Sequence, residues 1–238
     1  MRKLLIGAAV LGLFPFWNWF KKEEPARVPE SPLVLDISQW QDPANIDYDR
    51  LAPNVDLVIV RVQRGGYTED QFYRTHIEEF QARGVPVNVY AFCLADNEQS
   101  AIGEAQVFYV RTKDYDLATY WVDIEWDVTD DARSTIEAYR VELKRLLGDQ
   151  TKVGVYMGDD LVDGYNIDMN KFDGIWLAKY DYNDEGTTFP YFTGLSPIHM
   201  CDLHQYTENG RLPGYGDYLD FSRLTLARGK TLEYFGYK

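Results

Sequence analysis

Eight short apolar runs, rich in β-branched and aromatic residues, follow one another between residues 33 and 224. In the first half of the chain they alternate with segments of helical spacing, a pattern typical of parallel β/α folds. Eight is the number of strands that closes a β/α barrel. The runs are Leu33–Trp40, Leu57–Gln63, Pro86–Leu94, Ala118–Trp126, Lys152–Met157, Gly174–Tyr180, His199–Tyr206 and Tyr218–Leu224.

Three helices are predicted between the early runs, over Asp70–Arg83, Glu98–Thr112 and Asp131–Leu147. The first and the third end before a glycine, the residue that best suits the position after a helix. Between the later runs the chain is rich in Gly, Asp and Asn, which leaves room for little helix. We therefore predict an α/β fold, an irregular TIM-like (β/α) barrel of about eight strands over residues 33–238, with its helices reduced in the second half.

The N-terminal segment, residues 1–20, differs in composition from the rest of the chain. Arg2 and Lys3 precede an uncharged, mainly apolar run, Leu4–Phe20, but no small-x-small cleavage site follows it. The aromatic end of the run is typical of a membrane interface, which favours a retained signal-anchor over a removed signal peptide. A third interpretation is a segment that docks on a partner. Residues 21–32 are charged and contain prolines, and we predict that they form a linker.

The net charge argues against nucleic acid as a partner. The chain carries −14 in total, and residues 1–32, with five basic and three acidic side chains, carry +2, so the remainder carries −16. Such an acidic body repels phosphate groups, and no basic stripe offsets it.

The cysteines and histidines predict no redox or metal chemistry. Cys93 and Cys201 lie in separate apolar runs without a CxxC spacing, so we expect buried free thiols. His76 falls within a predicted helix and is expected on its surface. His199 and His204 have no matching ligand cluster, so neither a metal nor another cofactor is expected.

Two acids interrupt the fourth run, which contains the sequence YWVDIEW. Because side chains alternate faces along a strand, Asp123 and Glu125 point to one side, and Val122, Ile124 and Trp126 point to the other, toward the outer helices. Two carboxyl groups therefore share one small space.

Other acids are predicted to join this pair. Catalytic groups of β/α barrels lie at the carboxyl ends of the strands. Asp36 falls late in the first run, and Asp220 lies in the last run, which closes next to the first. Acids with aromatic faces suit sugar chemistry, because carboxyl groups move protons and aromatic rings stack on pyranose rings. The candidate substrate-binding residues are Tyr90, Tyr156, Trp176, Lys179, Gln205 and Tyr206.

Pairing the acids separates their pKa values. Two carboxyl groups held close cannot both ionise cheaply, so one keeps its proton near neutral pH and can donate it to a leaving glycosidic oxygen. We assign Glu125 as the general acid, because it lies nearer the carboxyl end of the strand and has the longer reach. Asp123 is then the charged partner that orients or stabilises the substrate.

The order of motifs resembles the glycoside hydrolase family 25 lysozymes, which are N-acetylmuramidases. The resemblance covers essentially all of residues 33–225. Its motifs are LDISQWQ (35–41), VIVRVQRG (58–65), GVPVNVYAF (84–92), WVDIEW (121–126), VGVYMG (153–158), IWLAKY (175–180) and HQYTENGRLPGYGDYLDFSRL (204–224).

This resemblance implies cleavage of peptidoglycan between N-acetylmuramic acid and N-acetylglucosamine. It implies that Asp36, Asp123, Glu125 and Asp220 form the acidic cluster of the active site, with Glu125 as the proton donor. It also implies that Tyr90 lies near the substrate. The sequence departs from the family pattern in two places, at Ala91, where the family has His, and at His204, where it usually has Trp.

Other interpretations remain open at this point. The same barrel could bind glycans without catalysis or serve as a structural protein of a phage particle. A chitinase-like glycosidase is the weaker enzyme alternative, because Trp121 and Thr119 stand where such barrels carry further acids. After protonation, Asp123 could hold the 2-acetamido group of the substrate for internal attack, or an acid such as Asp36 or Asp220 could direct water.

The expected partner is bacterial peptidoglycan, and residues 4–20 are the expected contact with a membrane or a phage particle. The protein would then be exported, membrane-tethered facing the cell wall, or virion-associated. A phage endolysin held at the membrane fits this description as well as a bacterial lysozyme does.

Overall fold

The computed structural model describes residues 32–125, 131–180 and 195–236. Within these ranges nine strands form one sheet. They are β1 (Leu33–Ile37), β2 (Leu57–Arg64), β3 (Thr68–Glu69), β4 (Val87–Phe92), β5 (Thr119–Ile124), β6 (Lys152–Gly158), β7 (Gly174–Ala178), β8 (Leu203–Gly210) and β9 (Leu219–Leu224).

The sheet closes into a barrel of eight strands, because β1 pairs with β2 on one side and with β9 on the other. The short β3 stands outside the closed ring and forms a hairpin with β2. From β1 through β8 the barrel strands are parallel. The last strand, β9, is antiparallel to both of its neighbours. The structure therefore confirms the predicted eight-stranded α/β barrel.

Helices cover the first half of the barrel more fully than the second. They are α1 (Tyr48–Leu51), α2 (Tyr73–Ala82), α3 (Glu98–Thr112), α4 (Ala132–Leu147) and the one-turn α5 (Val162–Tyr165), and 3₁₀ turns lie at Pro43–Asn45, Ala52–Asn54, Asp159–Leu161, Met169–Lys171 and Leu232–Phe235. The three predicted helices are present as α2, α3 and α4. Among the described residues after β6, only single turns occur, as the composition of that half predicts.

Local sequence explains where the longer helices begin. The side chain of Asn97 accepts a hydrogen bond from the Ser100 backbone N–H at the start of α3, and the Ser100 hydroxyl accepts one from the Asn97 backbone N–H. This capping box satisfies two backbone N–H groups that the first turn of a helix leaves unpaired. Asp131 caps α4 in the same way, accepting from the Ser134 backbone N–H at 3.0 Å.

The core has two layers, one on each face of the sheet. Val122 and Ile124 point outward and belong to the apolar layer under the helices, as predicted. Trp126 lies outside the described residues. Trp121 points inward and fills the barrel together with Trp176 and Phe235. Because Trp121 and Asp123 are two residues apart on one strand, the aromatic plug lies one layer beneath the acids.

His76 is buried rather than exposed on the surface of α2. Its Nδ1 lies 2.7 Å from the Tyr48 hydroxyl, and its Nε2 lies 3.3 Å from the Ser38 carbonyl oxygen. The short α1 and the turn after β1 cover this face of the helix, and the sequence pattern of α2 alone does not show them. Cys93 and Cys201 are buried free thiols, as predicted.

Residues 1–31 lie outside the described part of the chain, so the predicted apolar segment 1–20 and nearly all of the linker remain predictions. None of the helices that the structure describes has the length and apolar character needed to cross a bilayer.

Candidate active site

The four predicted acids line one cavity of about 400 Å³ at the carboxyl end of the parallel strands. Asp36 lies on β1, Asp123 on β5, Glu125 directly after β5, and Asp220 on β9. The floor of the cavity is aromatic and buried. Tyr90, Tyr156 and Trp176 each expose less than a tenth of their surface.

Asp220 reaches this rim because its strand runs in the opposite direction. It is the second residue of β9, so in a parallel strand it would lie at the lower end of the barrel. In the antiparallel arrangement it pairs directly with Asp36, the fourth residue of β1. Residues paired across antiparallel strands have Cα atoms about 4.5–5.5 Å apart, so these two acids are close neighbours.

Burial makes it costly for all of these acids to ionise. Burial and the neighbouring charge of Asp220 raise the pKa of Asp36 well above its usual range. Burial, with the charges of Glu125 and Asp36, does the same for the pKa of Asp123. Burial and the charges of Glu208 and Glu125 raise the pKa of Asp220 to about 7. Burial and mutual repulsion therefore favour the protonated forms of these carboxyl groups over the charged ones.

Glu125 differs from Asp123 in its solvation. Asp123 is 1% exposed, whereas Glu125 reaches solvent at the mouth. The protein around Glu125 still raises its pKa by partial burial, while the charge of Arg61 opposes this rise. A hydrogen bond between the two carboxyl groups raises the pKa of Asp123 and lowers the pKa of Glu125. Burial therefore favours the protonated form of both carboxyl groups, and it acts more strongly on Asp123, which is closed off from solvent.

One oxygen of Asp123 lacks a protein partner. Its Oδ1 is buried and accepts no hydrogen bond from any residue that the structure describes. A buried oxygen of this kind is costly to leave unpaired. It is therefore available to a donor that enters the cavity, such as an amide N–H.

Gln205 organises one wall of the cavity. Its Nε2 donates to Asp36 Oδ2 at 2.8 Å, and its Oε1 accepts from the hydroxyls of Tyr156 and Tyr180 at 2.6 and 2.5 Å. The amide thus fixes the orientation of one acid and of two rings. Beneath them, Trp176 donates from Nε1 to the Ser222 hydroxyl at 2.9 Å.

A buried cation faces the acids from β2. Arg61 is 8% exposed and lines the cavity. Its Nε donates to Asp70 Oδ2 at 3.1 Å, so its position is fixed. Its charge lowers the pKa values of Asp36, Asp123 and Glu125, in opposition to burial.

The structure brings together five of the six predicted substrate-binding residues. Tyr90, Tyr156, Trp176, Lys179 and Gln205 line the cavity. Tyr206 does not. It packs in the outer core, with its ring centroid 6.5 Å from that of Phe221. Gln205 and Tyr206 are consecutive strand residues and point to opposite faces, so they could not both face the cavity.

Further residues of the cavity were not singled out from the sequence. They are Ser38, Trp40, Arg61, Gly158, Asp160, Leu161, Ala178, Tyr180 and Glu208. Some of these residues could have been predicted from the sequence. Ser38 and Trp40 continue the alternation that begins at Asp36, and Arg61 is a charged residue within an otherwise apolar run. Glu208 could not, because a register shift in β8 between Gln205 and Thr207 changes the alternation.

A closed β/α barrel with carboxyl groups at its strand ends, above an aromatic floor, defines a glycoside hydrolase of the barrel class. Comparison with protein families gives the same result, since the model for glycosyl hydrolases family 25 matches residues 35–215. The chain belongs to this family.

Solved structures with the same fold include a bacterial virulence factor and a phage endolysin. A glycosyl hydrolase 25 virulence factor of Streptococcus pneumoniae, GHIP, is 31% identical with a TM-score of 0.74, over 81% of this chain and 86% of its own. The catalytic domain of endolysin ply40, from bacteriophage P40 of Listeria monocytogenes, is 26% identical with a TM-score of 0.73, over 82% of this chain and 93% of its own.

The modular autolysin LytC of S. pneumoniae, solved with a synthetic peptidoglycan ligand, is 25% identical with a TM-score of 0.61. That match spans 81% of this chain and 46% of LytC. The comparison with curated proteins gave no significant match.

Proposed function

We propose that this protein is a lysozyme that hydrolyses the β-1,4 bond between N-acetylmuramic acid and N-acetylglucosamine in peptidoglycan. The observation that carries the proposal is the convergence of Asp36, Asp123, Glu125 and Asp220 on one cavity. Membership of family 25 and the likeness to an endolysin and to an autolysin solved with peptidoglycan support this substrate.

Glu125 is the proton donor in this mechanism. It stands at the open mouth, where a leaving glycosidic oxygen can approach it, and its raised pKa favours the protonated form that an acid catalyst needs. Donation cleaves the bond between the anomeric carbon and that oxygen, and it leaves Glu125 as a carboxylate.

Asp123 supports the acid role of Glu125 through an oxygen that the described part of the protein leaves unpaired. When the 2-acetamido N–H of the substrate donates to the unpaired Asp123 Oδ1, it stabilises the charged form of Asp123. With Asp123 charged, a proton shared by the pair is held on Glu125, so substrate binding prepares the acid for donation.

The acetamido carbonyl oxygen then bonds to the anomeric carbon as the leaving group departs. Water opens this cyclic intermediate and gives up a proton to the Glu125 carboxylate. This route retains the anomeric configuration. Direct attack by a water that Asp36 or Asp220 orients would invert it. Following the anomeric protons of a fresh product by NMR distinguishes the two routes.

The central test is clearing of a suspension of purified cell walls by the full chain. Glu125→Gln should lower the rate by about 10²–10⁴-fold, since general acid catalysis contributes that much. Glu233→Gln, an exposed acid remote from the cavity, is the matched control and should clear at the wild-type rate. Far-ultraviolet circular dichroism checks that each variant is folded.

Equal clearing by the wild type and Glu125→Gln would exclude Glu125 as the general acid. A folded wild type that clears no wall but binds it would favour the non-catalytic glycan-binding alternative. Cleavage of chitin oligosaccharides in preference to wall glycans would favour the chitinase-like alternative.

We also propose that the protein works outside the cytoplasm, exported, tethered to a membrane facing the wall, or carried by a virion. The support is the sequence of residues 1–20, with its basic start and its apolar run ending in aromatic residues. Membrane fractionation of the expressing cell, with mass analysis of the mature N-terminus, tests this. A full-length protein confined to the cytosolic fraction would contradict it.

A further inference from the structure

Trp40 differs from the other aromatic side chains of the cavity in its exposure. It lines the mouth, yet 74% of its surface is open to solvent. Tyr90, Tyr156 and Trp176 lie in the floor and are almost fully buried. An exposed indole presents a large apolar surface to solvent, and when it borders a binding cavity its open face is available to a ligand.

The turn that carries Trp40 is held in a fixed conformation. The Gln41 backbone N–H donates to the Ser38 carbonyl oxygen at 3.1 Å, and the Ser38 backbone N–H donates to Gln41 Oε1 at 2.9 Å. The Gln39 backbone N–H donates to Asp70 Oδ2 at 2.8 Å. Trp40 is thus exposed on a turn whose backbone is tied down on both sides of it.

The side chains that hold this turn are themselves buried and linked to the acidic site. Asp70 is 2% exposed and also accepts from Arg61, the cation that faces the acids. His76 is fully buried, and its Nε2 lies 3.3 Å from the Ser38 carbonyl oxygen. These contacts tie the turn to β2 and to α2. A contact residue on a rigid support binds at a lower cost in conformational entropy than one on a mobile loop.

We propose that Trp40 is a stacking platform for a pyranose ring of the glycan strand, at an outer subsite on the β1 side of the mouth. This inference rests on the proposed function. The apolar C–H face of the sugar would cover the exposed indole, while its hydroxyl groups remain in water. The platform would bind strands that extend beyond the two sugars flanking the scissile bond, and it would take no part in bond cleavage.

The test compares soluble, uncross-linked glycan strands with the shortest wall oligosaccharide that the wild type cleaves. Trp40→Ala should raise KM for the long strands about 5- to 10-fold, as expected for the loss of one aromatic stacking contact, and should leave kcat unchanged. On the shortest substrate it should match the wild type. Trp40→Phe should restore most of the affinity for long strands.

Tyr67→Ala is the matched control, because Tyr67 is a fully exposed aromatic residue outside the cavity lining. If the wild type cleaves wall glycans and Trp40→Ala matches Tyr67→Ala on long strands, the stacking proposal is overturned. An equal loss of kcat on short and long strands overturns it too, since that pattern indicates a role in the reaction or in folding.

A direct binding measurement separates this inference from the proposed function. Glu125→Gln and the double variant Glu125→Gln with Trp40→Ala are titrated with the same long strands, and the dissociation constants are compared. If the wild type proves inactive but binding still weakens 5- to 10-fold without Trp40, the proposed reaction fails and the platform stands. Equal binding by the two variants overturns the platform.

Discussion

Replacing Gly154 by alanine is expected to destabilise the barrel by about 2 kcal/mol, because it overpacks the interior. A Cβ atom at Gly154 would lie 2.3 Å from Cε3 and 2.4 Å from Cζ3 of Trp121. The indole has little freedom to move away. It is fully buried, packs against Trp176 with ring centroids 5.7 Å apart, and lies across Gly174, where a Cβ would be 2.6 Å from its Cη2.

Two effects set the size of this change. Overpacking a dense core costs about 1–3 kcal/mol, and the upper part of this range applies because the clashing atoms belong to a rigid ring. Replacing glycine also restricts the unfolded chain, which offsets about 0.4–1 kcal/mol. With an m-value of about 2 kcal/mol/M, the urea midpoint should fall by about 1 M.

The assay is urea denaturation followed by circular dichroism, with two comparisons. Gly103→Ala is the control, since a Cβ at Gly103 in the interior of α3 would meet nothing within 4 Å. It should stabilise by up to about 1 kcal/mol. Trp121→Phe removes the clashing part of the indole, so adding Gly154→Ala in that background should cost little. The reasoning is refuted if Gly154→Ala matches Gly103→Ala, or if its cost is the same in both backgrounds.

Three further predictions concern polar side chains. Burial raises the pKa of Glu104 to about 7 from an ordinary 4.5. The free energy of unfolding should therefore decline by up to about 3 kcal/mol as the pH rises from 4.5 to 7. Glu104→Gln should flatten that part of a curve of stability against pH. A hydrogen bond to Asp159 raises the pKa of His199. The stabilisation from this contact is fully present below pH 6.5 and is lost as the pH rises through the higher pKa of the folded state. Thermal melts should therefore show His199→Gln to be less stable than the wild type at pH 5.5 and nearly equal to it at pH 8.5. Gln205→Leu removes the donor to Asp36 and should lower kcat about tenfold and stability by about 1–3 kcal/mol, whereas unchanged kinetics would show that the amide does not position the acid.

Strand periodicity predicted most of the barrel and the facing of three acids, and the fourth, Asp220, was predicted from the closing of the last run next to the first. Asp36, Asp123 and Glu125 lie late in apolar runs, and the adjacent residues that the structure describes point the other way, into the outer core. A period of two residues fixes which face each side chain takes, and the known location of catalytic groups in barrels indicates which end matters. These inferences need only local sequence.

The position of Asp220 depends on strand direction, which a period of two residues does not encode. The length of the connection does indicate the direction of β9, because only residues 211–218 separate β8 from β9. A parallel connection needs a crossover of a dozen or more residues, so this short connection favours an antiparallel pair.

Tyr206 and His76 differ from what was predicted from the sequence, each for its own reason. Tyr206 follows Gln205 directly, and alternation alone was enough to exclude it from the cavity. The burial of His76 depends on Tyr48 and on Ser38, which are distant in sequence, so no local pattern predicts it. The raised pKa of Asp123 likewise depends on how much water its three-dimensional surroundings exclude.

The pairing of β1 with β9 also shows at which end of the barrel the chain enters. Leu33 opens β1 and pairs with Arg223, near the end of β9, whereas Asp36 and Asp220 pair three residues further up, about 10 Å away at 3.3 Å per residue. The polypeptide therefore enters the barrel from its underside, on the face opposite the acidic mouth. An attachment made through the residues before Leu33 would therefore join the enzyme at its base and leave the acidic mouth on the free side.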